Sequence, residues 1–159
     1  MDNGSILIDE QFLPAAYELL ERPQKLICIS AFKAEIICRP RGRKLLNFFE
    51  LVFEKSRLGV DVRFLINRVT KIGSVPLSNL SAIPEIMKHG IKVRCLRNDR
   101  CCHAKMILSD NYGAILGSHN LSVKSVSSNF EVSYLFKDEP TVRTLQGIFD
   151  RVWENSQEV

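Results

Sequence analysis

The sequence predicts an α/β fold, a mixed β-sheet flanked by helices, on three observations. In the N-terminal part, stretches with helical apolar spacing alternate with short β-branched runs, the order that builds parallel strands joined by crossovers. Beyond them, two further runs flank a polar turn and add an antiparallel hairpin. The 159 residues are 45% hydrophobic and 25% charged, enough apolar matter for the core of one domain spanning 1–159. The same balance excludes a disordered or fibrous chain.

Each element has its own reason. A first helix is expected over 8–21, where Phe12, Leu13, Ala16, Leu19 and Leu20 share a stripe, Asp9 stands at the N-cap position and Pro23 stops it. Residues 25–33, KLICISAFK, are apolar throughout and read as a buried strand. Pro40 and Gly42 break the chain before a helix over Arg43–Arg57, with an inner stripe of Leu45, Leu46, Phe49, Val52 and Phe53. Gly59 closes that helix, and VDVRFLI, residues 60–66, is the second strand. Residues 67–80 read as a loop, followed by a short helix that His89 and Gly90 end and by the strand IKVRCL, residues 91–96. In the C-terminal half, 104–109 and 114–117 are strands around the Asp110-Asn111-Tyr112-Gly113 turn. An Asn/Ser-rich loop over 118–128, a strand over 130–136 and a helix over 139–153 complete the chain. Trp153, with Ile148 and Phe149, fits the inner face of that helix better than a base-stacking platform.

The net charge of +4 is modest but gathered. Residues 33–44 hold Lys33, Arg39, Arg41, Arg43 and Lys44 against Glu35 alone, and 88–105 hold six bases against Asp99 alone. Such clustering fits a polyanionic partner, nucleic acid or an anionic membrane surface, as well as a plain solvated face. The longest uncharged apolar run, 26–32, is far too short to span a bilayer. The first residues carry acids rather than a basic region before a long apolar stretch, so a cytoplasmic location is expected. Five cysteines without framework spacing are expected to be reduced. Cys95, Cys101, Cys102 and His103 lack paired C-x2-C spacing, and the adjacent pair would point to opposite faces, so no metal is expected there.

One segment concentrates chemistry-bearing residues: His103-Ala104-Lys105, four residues, Asp110, six residues, Gly117-Ser118-His119-Asn120, and later Asn129-Phe130-Glu131. Alternation along a strand puts His103 and Lys105 on one face. The turn at 110–113 carries the next strand back antiparallel, so Ser118 and Asn120 are expected beside them at one edge of the sheet. An imidazole, an ammonium, a hydroxyl and an amide donor, with backbone N–H groups near Gly117, can hold a phosphate and attack it. A lone His-x-Lys would carry no such weight. His119 reads as a loop residue.

This segment resembles the signature of the phospholipase D superfamily, HxK(x4)D(x6)GSxN, at every specified position. Asn129 and Glu131 match the Asn-x-Glu that follows in many members. The resemblance implies a phospholipase D-like fold and a phosphodiesterase that works without metal or other cofactor, through a covalent phosphohistidine. Some members carry two copies of the motif in one chain and others carry one; this chain has one, since neither His89 nor His119 begins a second. In-line displacement at phosphorus puts nucleophile and leaving oxygen on opposite sides, and one imidazole cannot stand on both. A two-fold homodimer with one composite site on its axis is therefore expected. By the same resemblance His103 attacks while the partner's His103 protonates the leaving alcohol. Lys105 and Asn120 hold the non-bridging oxygens, and Ser118 assists. Glu131 accepts a hydrogen bond from the far nitrogen of an imidazole and fixes its tautomer. Asp110 belongs to the signature, but family precedent puts it behind the phosphate site in a supporting role.

Three functions remain open at this point: a nuclease acting on DNA or RNA, resembling the small single-motif bacterial endonucleases; a lipid phosphodiesterase, like the single-motif cardiolipin hydrolases; and a non-catalytic module that docks nucleic acid or protein. The intact set of site residues argues against the third. The lack of a membrane anchor or a basic amphipathic helix argues against the second. Basic residues beside the expected site, Lys33, Arg41, Arg43, Lys44, Arg97 and Arg100, favour the first as substrate contacts. Residues 39–44 precede a helix N-terminus, a natural place for phosphate, and read equally well as a solvated loop. No separate recognition domain fits within this length, so sequence specificity would come from a partner protein.

Overall fold

The computed structural model describes residues 4–22, 25–68, 76–98, 100–110 and 112–159. Its centre is the apolar run that forms strand β2 (Leu26–Ala31), whose last five residues are all buried. A strand apolar on both faces belongs in the middle of a sheet covered on both sides. Accordingly β3 (Asp61–Ile66) pairs with it in parallel on one edge, and β5 (Lys105–Ser109) pairs antiparallel on the other. Beyond β3 lie β4 (Lys92–Leu96), in parallel, and β8 (Ser156–Glu158), antiparallel. Beyond β5 come β6 (Gly113–Gly117), β7 (Val132–Phe136) and β1 (Gly4–Ile8), each antiparallel to its neighbour. The described residues thus form one eight-stranded mixed sheet, in the order β1-β7-β6-β5-β2-β3-β4-β8.

Alternation sorts the sheet's side chains into two cores. Ile27, Ile29, Val62, Phe64, Ile107 and Ile115 face one side, together with the buried stripes of α1 (Phe12–Glu21), α2 (Arg43–Arg57) and α3 (Asn79–Lys88). Cys28, Leu65, Met106, Leu108 and Ala114 face the other, under Val142, Phe149 and Trp153 of α5 (Glu139–Glu154). The inner stripe of α2 takes in Phe48, which is fully buried, in place of Leu46, which is only half-buried. Truncating such a ring to alanine costs about 3–5 kcal/mol. α5 begins where expected because the Asp138 carboxylate accepts from the Thr141 N–H at 3.0 Å and Pro140 occupies its first turn. Gly59 and Gly90 close α2 and α3 at φ of +89° and +77°, backbone that favours glycine.

Several expectations are corrected. The first helix starts at Phe12, not at residue 8, because Gly4–Ile8 pairs with β7 as a strand. Asp9 is no N-cap of that helix; at φ +48° its carboxylate accepts the Glu131 N–H at 2.8 Å, and its own N–H donates to the Glu131 carbonyl at 3.0 Å. β8 and the short helix α4 (Val123–Ser127) have no counterpart in the sequence pattern, being too short and polar to show a period. The loop reading over 67–80 lies outside the described residues for 69–75, and its end falls at Asn79, where α3 begins. Among the described residues no helix is long and apolar enough to cross a membrane.

Candidate active site

The register of the sheet assembles the site. Lys105, first residue of β5, stands opposite Gly117, last residue of β6. Ser30 of β2 stands opposite Met106, so the chain leaving β2 arrives at the same end of the sheet. Three segments therefore converge there: 32–35, 102–105 and 118–121.

His103 precedes β5 and is exposed, yet it faces Lys105 as expected. Lys105 is buried, and its Nζ donates to the His103 carbonyl at 2.6 Å and meets Nδ1 of the ring at 2.8 Å. Because an ammonium can only donate, Nδ1 is the acceptor here, and a neutral ring then carries its proton on Nε2. The Phe32 ring lies 4.9 Å from the His103 ring and 5.6 Å from Lys105 Nζ, a cation–π distance. Burial pulls the Lys105 ammonium below the ordinary lysine range, against the opposing pull of Glu131.

Asn120 and Ser118 close the other side. Asn120 Oδ1 accepts the Lys33 N–H at 3.1 Å, which fixes the amide's orientation and leaves its NH2 for another acceptor. The Asn120 N–H donates to Ser125 Oγ at 2.8 Å. Ser118 Oγ donates to the Glu131 carboxylate and accepts the Val132 N–H at 3.1 Å. Glu131 also accepts from Ser125 Oγ at 2.8 Å and Asn129 Nδ2 at 3.0 Å. Burial alone would raise the Glu131 carboxyl, but the bonds from Ser118, Asn129 and Ser125, with His119 near, hold it below the usual carboxylate range. Within one chain, among the described residues, the partners of Glu131 are loop hydroxyls and amides rather than the His103 ring. Glu131 ties residues 118, 125 and 129 together, and Ser125, which no sequence motif singles out, is the hub of that loop.

The other named residues fall elsewhere. Asp110 sits at the far end of β5, where its carboxylate accepts the backbone N–H groups of Lys25 and Leu26 at 3.1 Å. His119 is buried and stacked on Phe12 at 4.4 Å, with Nδ1 at 2.7 Å from Ser133 Oγ and Nε2 donating to the Asp9 carbonyl at 3.0 Å. Lys33 lies beside the site but its Nζ is paired with Glu35 at 2.6 Å. Arg41, Arg43 and Lys44 are exposed on the turn into α2. Arg97 and Arg100 line a separate cavity of about 500 Å³ with Ile148, Arg151 and Asn155. The five cysteines are free thiols, and burial pushes Cys102 up to about 11. Among the described residues no His, Cys, Asp and Glu side chains gather as a metal site.

Comparison with known proteins adds the family. The family described as cardiolipin synthase, PLD-like domain, matches residues 24–153. The probable cardiolipin synthase YwiE of Bacillus subtilis is 28% identical over 101 residues, which cover 64% of this chain and 20% of that protein. The human mitochondrial cardiolipin hydrolase is 27% identical over 147 residues, covering 86% of this chain and 58% of that protein. The chain thus spans from a fifth to just over half the length of these relatives. The crystal structure of Nuc from Salmonella typhimurium, a phospholipase D family member, superposes with a TM-score of 0.76 at 17% identity over 98% of both chains. With its strand order, its paired His103 and Lys105 and this match over most of its length, the chain belongs to the phospholipase D-like family.

Proposed function

We propose that this chain is a metal-independent phosphodiesterase, an endonuclease that cleaves DNA or RNA at a site shared by two protomers. The observation that carries the reading is the meeting of His103, Lys105, Ser118 and Asn120 at one end of the sheet, with one histidine nucleophile per chain. A phosphate oxygen is a stronger acceptor than an imidazole. It draws Lys105 Nζ off the ring and frees a ring lone pair to attack phosphorus. As the N–P bond forms, the P–O bond to the leaving group breaks, and that oxygen takes a proton from the partner's His103. Water then attacks phosphorus and gives its proton to the partner's His103, left neutral by the first step; the N–P bond breaks, and the phosphate leaves. Two ammonium groups and two amides, one set from each protomer, offset the developing charge where other nucleases use divalent ions.

An apolar patch supports the second copy. Ile6, Ile8, Phe130 and Val132 are exposed on the β1/β7 end of the sheet, around Glu131. Nucleic acid is favoured by the exposed Arg39, Arg41, Arg43 and Lys44, which follow directly on the segment that holds Asn120. A second reading, a lipid phosphodiesterase, is supported by the cardiolipin relatives and by Phe130, 80% exposed beside the site. One experiment decides between them: labelled single- and double-stranded DNA and RNA, and vesicles of an anionic phospholipid, each incubated with the protein in chelator. Cleavage of nucleic acid only is the expected result. Release of a headgroup only would replace the nuclease by the lipid reading, and rescue of a dead reaction by Zn²⁺ or Mg²⁺ would overturn the metal-free mechanism.

A further inference from the structure

The geometry points to Asn67 as a positioning residue for His103, through the backbone rather than through the ring. Asn67 follows the last residue of β3 and is buried. Its Oδ1 accepts the Cys102 N–H at 2.7 Å, and its Nδ2 donates to the Cys102 carbonyl at 2.9 Å. One carboxamide thus grips both backbone groups of the residue that precedes His103. β5 begins only at Lys105, so Cys102 has no strand neighbour, and the side chain stands in for one. Cys102 is itself buried, which leaves water a poor substitute for either bond.

The same amide reaches further. Asn67 Nδ2 also lies 3.3 Å from the Phe32 carbonyl, and Phe32 is the ring against which both His103 and Lys105 Nζ rest. Asn79, fully buried at the start of α3, locks this arrangement from behind. Its Nδ2 donates to the carbonyls of Asn67 at 3.1 Å and Phe32 at 3.2 Å, and its Oδ1 accepts the Ala34 N–H at 3.0 Å. The turn out of β2 and the approach to β5 are therefore registered against each other by two side-chain amides. The gripped Cys102 carbonyl shares one planar peptide unit with the His103 Cα that carries the imidazole, so no soft dihedral separates the two. A nucleophile displaced by about 1 Å loses on the order of 100-fold in rate. A residue outside the motif thereby controls where the motif's histidine stands.

This inference rests on His103 being the nucleophile, and its test separates the two claims. Asn67→Asp is nearly isosteric and keeps an acceptor for the Cys102 N–H, but it turns a carboxylate oxygen toward the carbonyls of Cys102 and Phe32. The probe is bis(p-nitrophenyl) phosphate, hydrolysed by the whole chain at temperatures well below the melting midpoint of each variant, with folding checked by circular dichroism. Folded Asn67→Asp is expected to lose about 10- to 100-fold in kcat with KM within about threefold, and to form the acid-trapped phosphohistidine more slowly by the same factor. Asn79→Ala is expected to lose less, and the double variant less than the product of the two, because Asn79 acts through Asn67. If Asn67→Asp does not fold, Asn67→Gln, which carries the same amide one methylene further out, is read by the same criteria. Wild-type kcat in a folded variant, or a rise in KM with kcat unchanged, overturns the positioning role while His103→Ala stays dead. Turnover retained in His103→Ala overturns the reading beneath it and this inference together.

Discussion

The two ends of the β5–β6 hairpin carry residues of a single sequence motif and use them in opposite ways. At the turn end the Asp110 carboxylate is occupied by two backbone N–H groups and pins the start of β2. At the open end Lys105 meets the His103 ring through a bond that a phosphate can displace, and Asn120, held by the Lys33 N–H, leaves its NH2 for another acceptor. The spacing of four and six residues is the length of the hairpin between them. A motif of this kind mixes groups that are satisfied by the fold with groups left for a substrate, and only the hydrogen-bond partners tell them apart.

The sharpest way to break that contrast is to remove one residue from each end. His103→Ala should lose about 10³-fold or more in turnover while the protein stays folded, since the His103 side chain is exposed and its ring is not part of the core. A heterodimer of wild type and His103→Ala should lose most activity too, because a composite site needs both imidazoles. Kinetics of purified mixed dimers check this, and a half-active heterodimer would remove the shared site. The next largest effect concerns binding. Replacing Arg41, Arg43 and Lys44 by glutamine should weaken nucleic-acid binding similarly across sequences. It should also flatten the salt dependence, by about one unit of slope for each phosphate no longer neutralised. Unchanged slope would return those residues to a plain solvated turn.

Much of this is legible in the chain. The β2 run, the α2 stripe from Arg43 to Arg57 and the hairpin come through because strong periodicity and length act together. The site comes through because spacing alone brings Lys105 opposite Gly117. β1 stays hidden because one edge strand with Ile6 and Ile8 exposed and only Leu7 buried runs straight into a helix of the same polarity pattern. The bonds that Glu131 makes within its own chain stay hidden, because nothing in a sequence says that three loop donors will reach its carboxylate. Asn67 is invisible for a related reason: its side-chain bonds go to backbone, which every residue type shares, so no partner residue announces it.

At the turn end the expected effect falls on stability rather than rate. Asp110→Ala strips the acceptor from two backbone N–H groups at the start of the central strand. It should cost about 1–3 kcal/mol, a melting shift of several degrees, with kcat per folded molecule nearly unchanged. Thermal melts and active-site-normalised kinetics read the two quantities separately. A loss of kcat without a loss of stability would bring Asp110 into the chemistry.

The smallest effect sharpens the contrast between two histidines sixteen positions apart in the same segment. His119 is buried against Phe12, with both ring nitrogens engaged, and burial pushes its pKa below the ordinary histidine value. In the unfolded chain the same ring titrates near about 6.5. Between that value and the lower folded one, the unfolded state binds the extra proton, so acid favours unfolding there. Its contribution to stability is therefore complete above about 6.5, shrinks as pH falls through the window below, and stops changing once the folded ring is protonated as well. Glu131 and Glu35, both held below the usual carboxylate range, lose their contribution only at lower pH, below about 4.5. Denaturant melts between pH 7 and 5 isolate His119 from them. The wild type should lose stability across that interval, and His119→Gln, which keeps a donor for the Asp9 carbonyl and cannot titrate, should lose measurably less. Equal slopes in the two proteins would mean that a proton reaches the buried ring as readily as it reaches the unfolded chain.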